Sequence, residues 1–400
     1  MKRFFFTSAV AGLMLFGAGC DSFVQDVEDP IDVIVDELLT TESQVPFLIT
    51  GVQGRFAEAH DRLTAYSGGL SDELIFDERV PNATFPSFND MDLGTIEPDN
   101  NSVDGVYNGL GEAWLFADNL LERIQAITFE DAALQQEAEY IGNLYGGLAR
   151  YSYGAYFGLE PEQGGSPIGG GAFVGTAELY NQAIDKLNTA AGLAPSDYDR
   201  KVVNSLIAKI NLYRGDFGAA AAAAANGLVP GDDPFQSLHA VASSNEWFVQ
   251  AGPGRSQFVV DNRFFEFTQE DPGEAARFPL VEIVGSDSTL FYRQDLYSER
   301  SSPIDIVSWQ ENHLILAEVA LRGAGSGDAL ALVNEVRGAS QLAALDGIDL
   351  DGIYVERDKE LFGTGNRLID QRRFDRWHLG AGTWRYLPVT QSERNGNENL

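Results

Sequence analysis

The 400-residue chain is poor in the residues that most chemistry uses. It has one cysteine, Cys20, so it makes no intramolecular disulfide and no zinc or redox pair. His60, His239, His313 and His378 stand in separate segments, with no pair at helical spacing and no Glu-x-x-His. For His313 and His378, which lie in helical stretches, a hydrogen-bonded structural role outweighs metal ligation. There is no Gly-x-Ser-x-Gly elbow and no Gly-Lys-Ser or Gly-Lys-Thr phosphate loop. Positive charge is scarce: 27 Lys plus Arg face 60 Asp plus Glu, a net charge of −33. Lysine is confined to Lys2, Lys186, Lys201, Lys209 and Lys359. That balance excludes nucleic acid, whose binding rests on cationic side chains displacing counterions, and disfavours a general anionic-membrane patch. Carboxylate pairs are so frequent here that they carry no information about glycoside hydrolysis.

What is present is a large apolar complement. With 44% hydrophobic and 11% aromatic residues the chain can bury a sizeable core, as two or three domains or one large helical solenoid. An acidic, Lys-poor surface suits concentrated salt, where screening removes self-repulsion; the alternative is a chain that is merely acidic. On the halophilic reading, stability and binding improve with salt.

The position of Cys20 is informative. Lys2 and Arg3 precede an apolar run from Phe4 to Phe16, and Gly17-Ala18-Gly19 supplies small residues before the cysteine. The run is shorter than the ~20 residues that span a bilayer, which favours a cleaved signal over a retained anchor. The pattern resembles a bacterial lipoprotein lipobox, with Gly17 where Leu is usual. It implies a signal peptide at 1–19, acylation (palmitate) of Cys20, and an extended lipid-anchored segment at 20–41; a plain secretory signal with a coincidental Cys is the alternative. Two or three acyl chains at ~0.8 kcal/mol per buried methylene anchor a chain stably.

From Glu42 the pattern is helical. Phe47, Leu48, Val52, Phe56, Ala59 and Leu63 recur at three- and four-residue steps, as one face of an amphipathic helix requires. Asp72 to Asp104, with Pro81, Pro86 and Pro98, reads as a long ordered loop. Further helices are predicted over 103–127, 132–157, 177–193, 199–214, 217–228, 304–321, 327–341, 352–361 and 365–377. The 230–302 stretch, rich in Pro, Gly and aromatics, reads as loops with a few short strands. Two helix pairs share a signature of small residues and a Gly at the corner: Leu212-Tyr213, Gly215-Asp216-Phe217, Ala220, and Ala320-Leu321, Gly323, Ala329. This resembles a tetratricopeptide unit, in which Gly ends the first helix at positive φ and an aromatic fills the gap. The Ala219–Ala225 run is a packing face.

The clusters Asp90, Asp92, Glu97, Asp99, Asp104 and Asp346, Asp349, Asp351 do not match an EF-hand loop, and helix capping or solvation accounts for them better than calcium. No cofactor or metal is expected. Many aromatics fall in loops: Phe76, Phe85, Phe88, Phe173, Trp247, Phe248, Phe291, Tyr292 and Tyr297. Rings stack on the apolar faces of sugars while Asn, Asp, Arg and Gln bond the hydroxyls, so such loops suit glycans, although burial is the commoner fate of any one ring.

The C-terminal third carries a more specific signal. Glu356-Arg357-Asp358-Lys359-Glu360-Leu361, then Gly365, Arg367, Asp370 and Arg373, resembles the terminal motif of the SusD/RagB family of nutrient-uptake outer-membrane lipoproteins. Glu311, Leu314, Ala317-Glu318, Arg322, Ala329, Val333-Asn334 and Val336-Arg337 are similar to that family's paired-helix segment. Tyr107, Asp118-Asn119-Leu120-Leu121, Tyr151, Phe157-Gly158 and Ile184-Asp185 extend the match over most of 45–377. Gly158 is followed by Leu159-Glu160-Pro161 in place of an acidic-Val-Pro, and Gly363-Thr364-Gly365 lacks the family's Glu before Gly.

The resemblance implies a mainly α fold of tetratricopeptide-like pairs over 42–400, with a loop-rich face and a divergent segment at about 230–302. It implies a non-catalytic lipoprotein of the cell outer membrane, surface-exposed, that binds oligosaccharides or peptides and delivers them to a SusC/RagA-like TonB-dependent transporter. A helical-repeat lipoprotein that assembles envelope proteins is the rival. By the same resemblance, ligand contacts come from the loop after the first long helix and from the divergent segment: Asp72, Arg79, Phe85, Phe88, Asn89, Trp247 and Tyr292. The charges Glu356, Arg357, Glu360, Arg367, Asp370 and Arg373 recur at helical intervals and are expected to form a structural ion-pair ladder along and between two helices.

Overall fold

The computed structural model describes residues 39–400. Cys20, the 1–19 leader and nearly all of the 20–41 segment lie outside the described residues. The helices are α1 (Val45–Leu70), α2 (Pro86–Asp92), α3 (Asn101–Ile124), α4 (Ala132–Tyr156), α5 (Thr176–Leu193), α6 (Asp197–Tyr213), α7 (Phe217–Ala224), α8 (Glu246–Gln250), α9 (Asn262–Glu270), α10 (Trp309–Leu321), α11 (Ala329–Ala339), α12 (Leu350–Glu360), α13 (Asn366–Arg373) and α14 (Gln391–Gly396). The strands are short: β1 (Leu74–Ile75), β2 (Phe157–Glu160), β3 (Gln163–Ser166), β4 (Val174–Gly175), β5 (Phe235–Ser237), β6 (Val259–Val260), β7 (Leu280–Val284), β8 (Leu290–Gln294), β9 (Ile304–Val307) and β10 (Leu387–Pro388). Among the described residues no helix is long and apolar enough to cross a membrane.

Polar residues that bond free backbone N–H groups set where the helices begin. Asn100 accepts from Ser102 and Val103 at the start of α3, Asp131 opens α4, Ser196 opens α6 and Asp349 opens α12. Buried faces then decide the packing. α1 lies against α3 and α4, α4 against α5, and the chain continues as neighbouring pairs to α10, α11 and α12. Small residues permit the close crossings: a Cβ on Gly142 of α4 would stand 2.6 Å from Cγ of Leu121 on α3. At the corners of α6/α7 and α10/α11, Gly215 and Gly323 adopt φ of +81° and +76°. Ala220 and Ala224 of the alanine run bury against Ala208, Leu212, Ile315 and Val319.

Several segments depart from the sequence expectation, among them the 230–302 stretch, which holds the helices α8 and α9. Ile304–Val307 is a strand paired antiparallel with β5, and α10 starts only after Ser308, whose hydroxyl accepts from the Glu311 N–H at 3.2 Å. Ile304 and Ile306 alternate with Asp305, a two-residue period that a helical reading of the flanking pattern absorbs. The 72–104 loop contains α2, which opens on Pro86 and buries Phe88 and Met91.

The end of α1 organises the loop-rich face. β1 leaves it and joins a four-stranded sheet in the order β1-β6-β8-β7, with Leu74 opposite Val260 and Glu282 opposite Tyr292. α2 and α8 pack on the same end of α1. The 72–104 loop and the divergent segment, distant in sequence, are thereby brought side by side.

Candidate functional site: a cleft on the loop-rich face

The cleft, of about 420 Å³, lies between Tyr66 in the last turn of α1, the 85–88 corner, Asn101 and Ser102 at the start of α3, and Gln250 at the end of α8. Its wall is fixed from behind. Buried Gln257 accepts the backbone N–H groups of Thr84 (2.9 Å) and Phe85 (3.1 Å) and donates to the Asn82 carbonyl. Asn100 donates to the Ser87 carbonyl at 3.0 Å, and the Ser87 and Ser102 hydroxyls meet at 3.0 Å. Phe88, below the surface, touches Phe258, Tyr66 and Phe85 with ring centres 4.9, 5.4 and 5.9 Å apart. Phe85 is left 39% exposed at the mouth, with the Arg255 guanidinium 4.1 Å from its ring centre.

Glu246 organises the opposite wall. Its Oε1 accepts the Tyr66 hydroxyl (2.8 Å) and Nε2 of Gln250 (2.9 Å). A carboxylate cannot donate, so the Gln250 nitrogen must face Glu246 and the amide oxygen is turned away. That Oε1 is buried and has no protein partner. A buried acceptor left unbonded costs about 1–3 kcal/mol. An exposed ring beside a set of hydroxyl and amide groups in a pre-formed wall suits a polyhydroxylated ligand with an apolar face.

A second cavity, of about 470 Å³, lies further along α1 among Gln53, Phe56, Tyr145, Tyr198, Phe235 and Gln236. At its floor the fold joins groups that the sequence keeps apart: Ser237 Oγ is 3.0 Å from His60 Nδ1 and 3.4 Å from His239 Nε2. His239 Nδ1 is 3.7 Å from Asp61 Oδ2, too far for a hydrogen bond, and that oxygen accepts from the Glu246 N–H at 3.0 Å. Burial, helped by the Lys209 charge, depresses His60 to about 3, and burial depresses His239 to about 4. Neither imidazole is a base poised for neutral pH, and Ser237 also lies 3.3 Å from the Ile304 carbonyl. The cluster has the geometry of a polar link between α1 and β5, and lacks that of a nucleophile relay.

The residues nominated from sequence are divided by the fold. Phe85 and Phe88 both meet the cleft, but Phe88 is 1% exposed and belongs to the core. Trp247 is 0% exposed, wedged against Tyr297 and Phe362 and donating Nε1–H to Thr64 at 3.0 Å. Both therefore correct the surface role expected of them: their apolar area is spent on packing. Asp72 is held by Arg367 (2.6 and 2.7 Å) and Arg263 (3.0 Å). Burial alone would raise its pKa, yet these guanidinium groups hold it near 2. Asn89 is half-buried in α2. Arg79 is exposed on the sheet side, paired with Asp77 (2.6 Å) and Asp287 (3.3 Å). Tyr292, on β8, stacks on Phe265 at 4.2 Å and 11°. Gln250, Arg255, Ser87 and Ser102 escaped the sequence reading. The Gly252-Pro253-Gly254-Arg255 turn was the signal available for Arg255.

The C-terminal charges pair, but mostly outward from their two helices. Arg357–Asp370 (2.7 Å) and Arg367–Asp358 (3.3 Å) link α12 to α13. Glu356 pairs with Arg277 (3.0 Å) and Arg337 (2.7 Å), Glu360 with Arg277 (3.0 Å), and Arg373 with Glu318 (2.7 Å). These side chains face the core, so their partners come from the elements packed there. Asp349, of the second acidic cluster, caps α12 through the Gly352 N–H (2.8 Å). Among the described residues no group of three or more His, Cys, Asp or Glu is placed to hold a metal ion.

No protein-family model matches the chain, and no curated protein matches it. Solved structures do. A laminarin-binding SusD-like protein superposes with a TM-score of 0.72 at 16% identity, over 90% of this chain and 98% of that one. Surface glycan-binding protein A from Bacteroides thetaiotaomicron gives 0.67 at 15% identity over 90% and 98%. A SusD superfamily protein from Bacteroides vulgatus gives 0.68 at 17% identity over 88% and 96%. The chain has the SusD-like fold.

Proposed function

We propose that this chain is a SusD/RagB-type lipoprotein of the outer-membrane surface that binds oligosaccharides at the loop-face cleft and passes them to a TonB-dependent barrel transporter, without bond chemistry. The observation that carries the binding role is the cleft itself, where exposed Phe85 shares a pre-formed wall with Tyr66, Ser87, Ser102 and Gln250. Laminarin-binding and surface glycan-binding proteins that share the fold support the same reading. Lipid anchorage rests on the Lys2–Cys20 pattern, and the transporter partner rests on the family resemblance of the C-terminal motif.

Isothermal titration of the purified protein against glycan and peptide panels tests this. A glycan should bind, and Phe85→Ala should weaken it about tenfold or more with the thermal midpoint nearly unchanged. Binding of peptides alone would shift the ligand class. Absence of any binding would favour the envelope-assembly rival, and release of reducing ends would revive a hydrolase. Native membrane pull-down should recover a large β-barrel.

A further inference from the structure

In a chain this acidic, an exposed arginine is expected to have a carboxylate beside it, and most do. Arg55, Arg79, Arg200, Arg214 and Arg376 each reach one within 4.0 Å. Among the described residues the exposed guanidinium groups with no such ion pair are Arg62, Arg255 and Arg300. All three surround one short helix, α8. Arg62 lies on α1 one turn before Tyr66, the residue that bonds Glu246 of α8. Arg300 is tied to the start of α8 through its carbonyl, which accepts the Asn245 N–H at 2.9 Å, and its guanidinium sits 5.5 Å from the Phe248 ring centre. Arg255 follows the end of α8, with its N–H bonded to the Val249 carbonyl at 2.7 Å and its guanidinium over Phe85. Their segments meet at Phe248: a Cβ on Gly254, next to Arg255, would stand 3.2 Å from its Cε1.

We infer that the glycan taken by the loop face is anionic, bearing uronate or sulfate groups that the Arg255 and Arg300 guanidinium groups bond while its sugar rings stack on Phe85. This rests on the cleft being a glycan site and adds the ligand's charge. A guanidinium bonds an oxyanion through two parallel N–H groups, and charge-assisted bonds of this kind are roughly twice as strong as neutral ones. Aromatic stacking holds each fork in place without neutralising it. Glu246 stands behind the cleft, and the Tyr66 hydroxyl and Gln250 amide already occupy its Oε1. The overall −33 does not oppose this, because charges beyond about 8–10 Å are screened at ordinary ionic strength. It still opposes nucleic acid, which needs many such contacts at once.

The test measures Kd for matched pairs of oligosaccharides: oligogalacturonates against their carboxyl-reduced counterparts, and sulfated against desulfated galactans, with neutral laminari- and cello-oligosaccharides alongside. The acidic member of at least one pair should bind tenfold or more tightly than its neutral twin. Arg255→Gln/Arg300→Gln should remove that preference without shifting the thermal midpoint, and Arg200→Gln on α6 should preserve it. The uronate and sulfate arms identify which oxyanion is read. Tightest binding to a neutral glycan, or an acidic preference that survives the double variant, overturns the inference and leaves the glycan role standing. Absence of binding to every glycan overturns both.

Discussion

Phe85 and Phe88 stand one helical turn apart in sequence and serve different ends, one capping a cleft and the other filling the core. Nothing in the local sequence separates them: both follow a proline-rich stretch and both read as loop aromatics. The difference comes from Gln257, far along the chain, which fixes the 84–85 backbone and so decides which ring turns outward. The same distance in sequence hides Glu73. Burial, with the Asp358 charge, pushes its carboxyl up to about 8, while the Gly363 N–H (3.1 Å) and the charges of Arg263 and Arg367 pull the other way. An unfolded glutamate ionises near 4.5, so between there and about pH 8 the unfolded chain binds fewer protons and Glu73 lowers stability as pH rises. Glu73→Gln keeps the bond to Gly363. Urea midpoints should match the parent near pH 4.5, and by pH 8 the variant should be more stable by roughly 2–4 kcal/mol. Equal midpoints across that range would contradict the assignment.

Elements with strong periodicity are legible from sequence, and α1, α3, α4, α5 and α6 begin and end close to where the pattern places them, with a capping side chain at α3, α4 and α6. β9 is not, because four strand residues directly before a capped helix share its apolar content. α8 and α9 are not, being too short to show a period, and their capping Asn245 and Asp261 become meaningful only once the chain around them is placed. Glycine corners are the most transferable signal. Gly215 and Gly323 both adopt positive φ, and a Cβ at either would meet nothing within 4 Å, so an alanine there would report backbone strain alone. Gly215→Ala and Gly323→Ala should each cost about 1 kcal/mol in chemical denaturation. A neutral or stabilising result at both would show that these corners relax.

Across the whole molecule the acidity belongs to the surface. The buried cations Lys209, Arg277, Arg337, Arg357 and Arg367 pair with carboxylates that are buried beside them, so these charges cancel inside and the surface stays strongly negative. Mutual repulsion among surface carboxylates should fall with ionic strength, so the melting temperature should rise from low to molar salt. A flat response would remove the habitat reading and leave the cleft untouched. The fold class was legible because its terminal motif and helix pairs are local features. The cleft was not, because Tyr66, Phe85, Ser102 and Gln250 meet only through the tertiary path of α1, α3 and α8. The measurement closest to the central claim is a crystal structure with the tightest-binding oligosaccharide. A sugar ring against Phe85 with its hydroxyls bonded to the polar groups that line the cleft is the predicted result; a sugar seated in the cavity of Phe56, Tyr145 and Phe235, with the loop face empty, would contradict it.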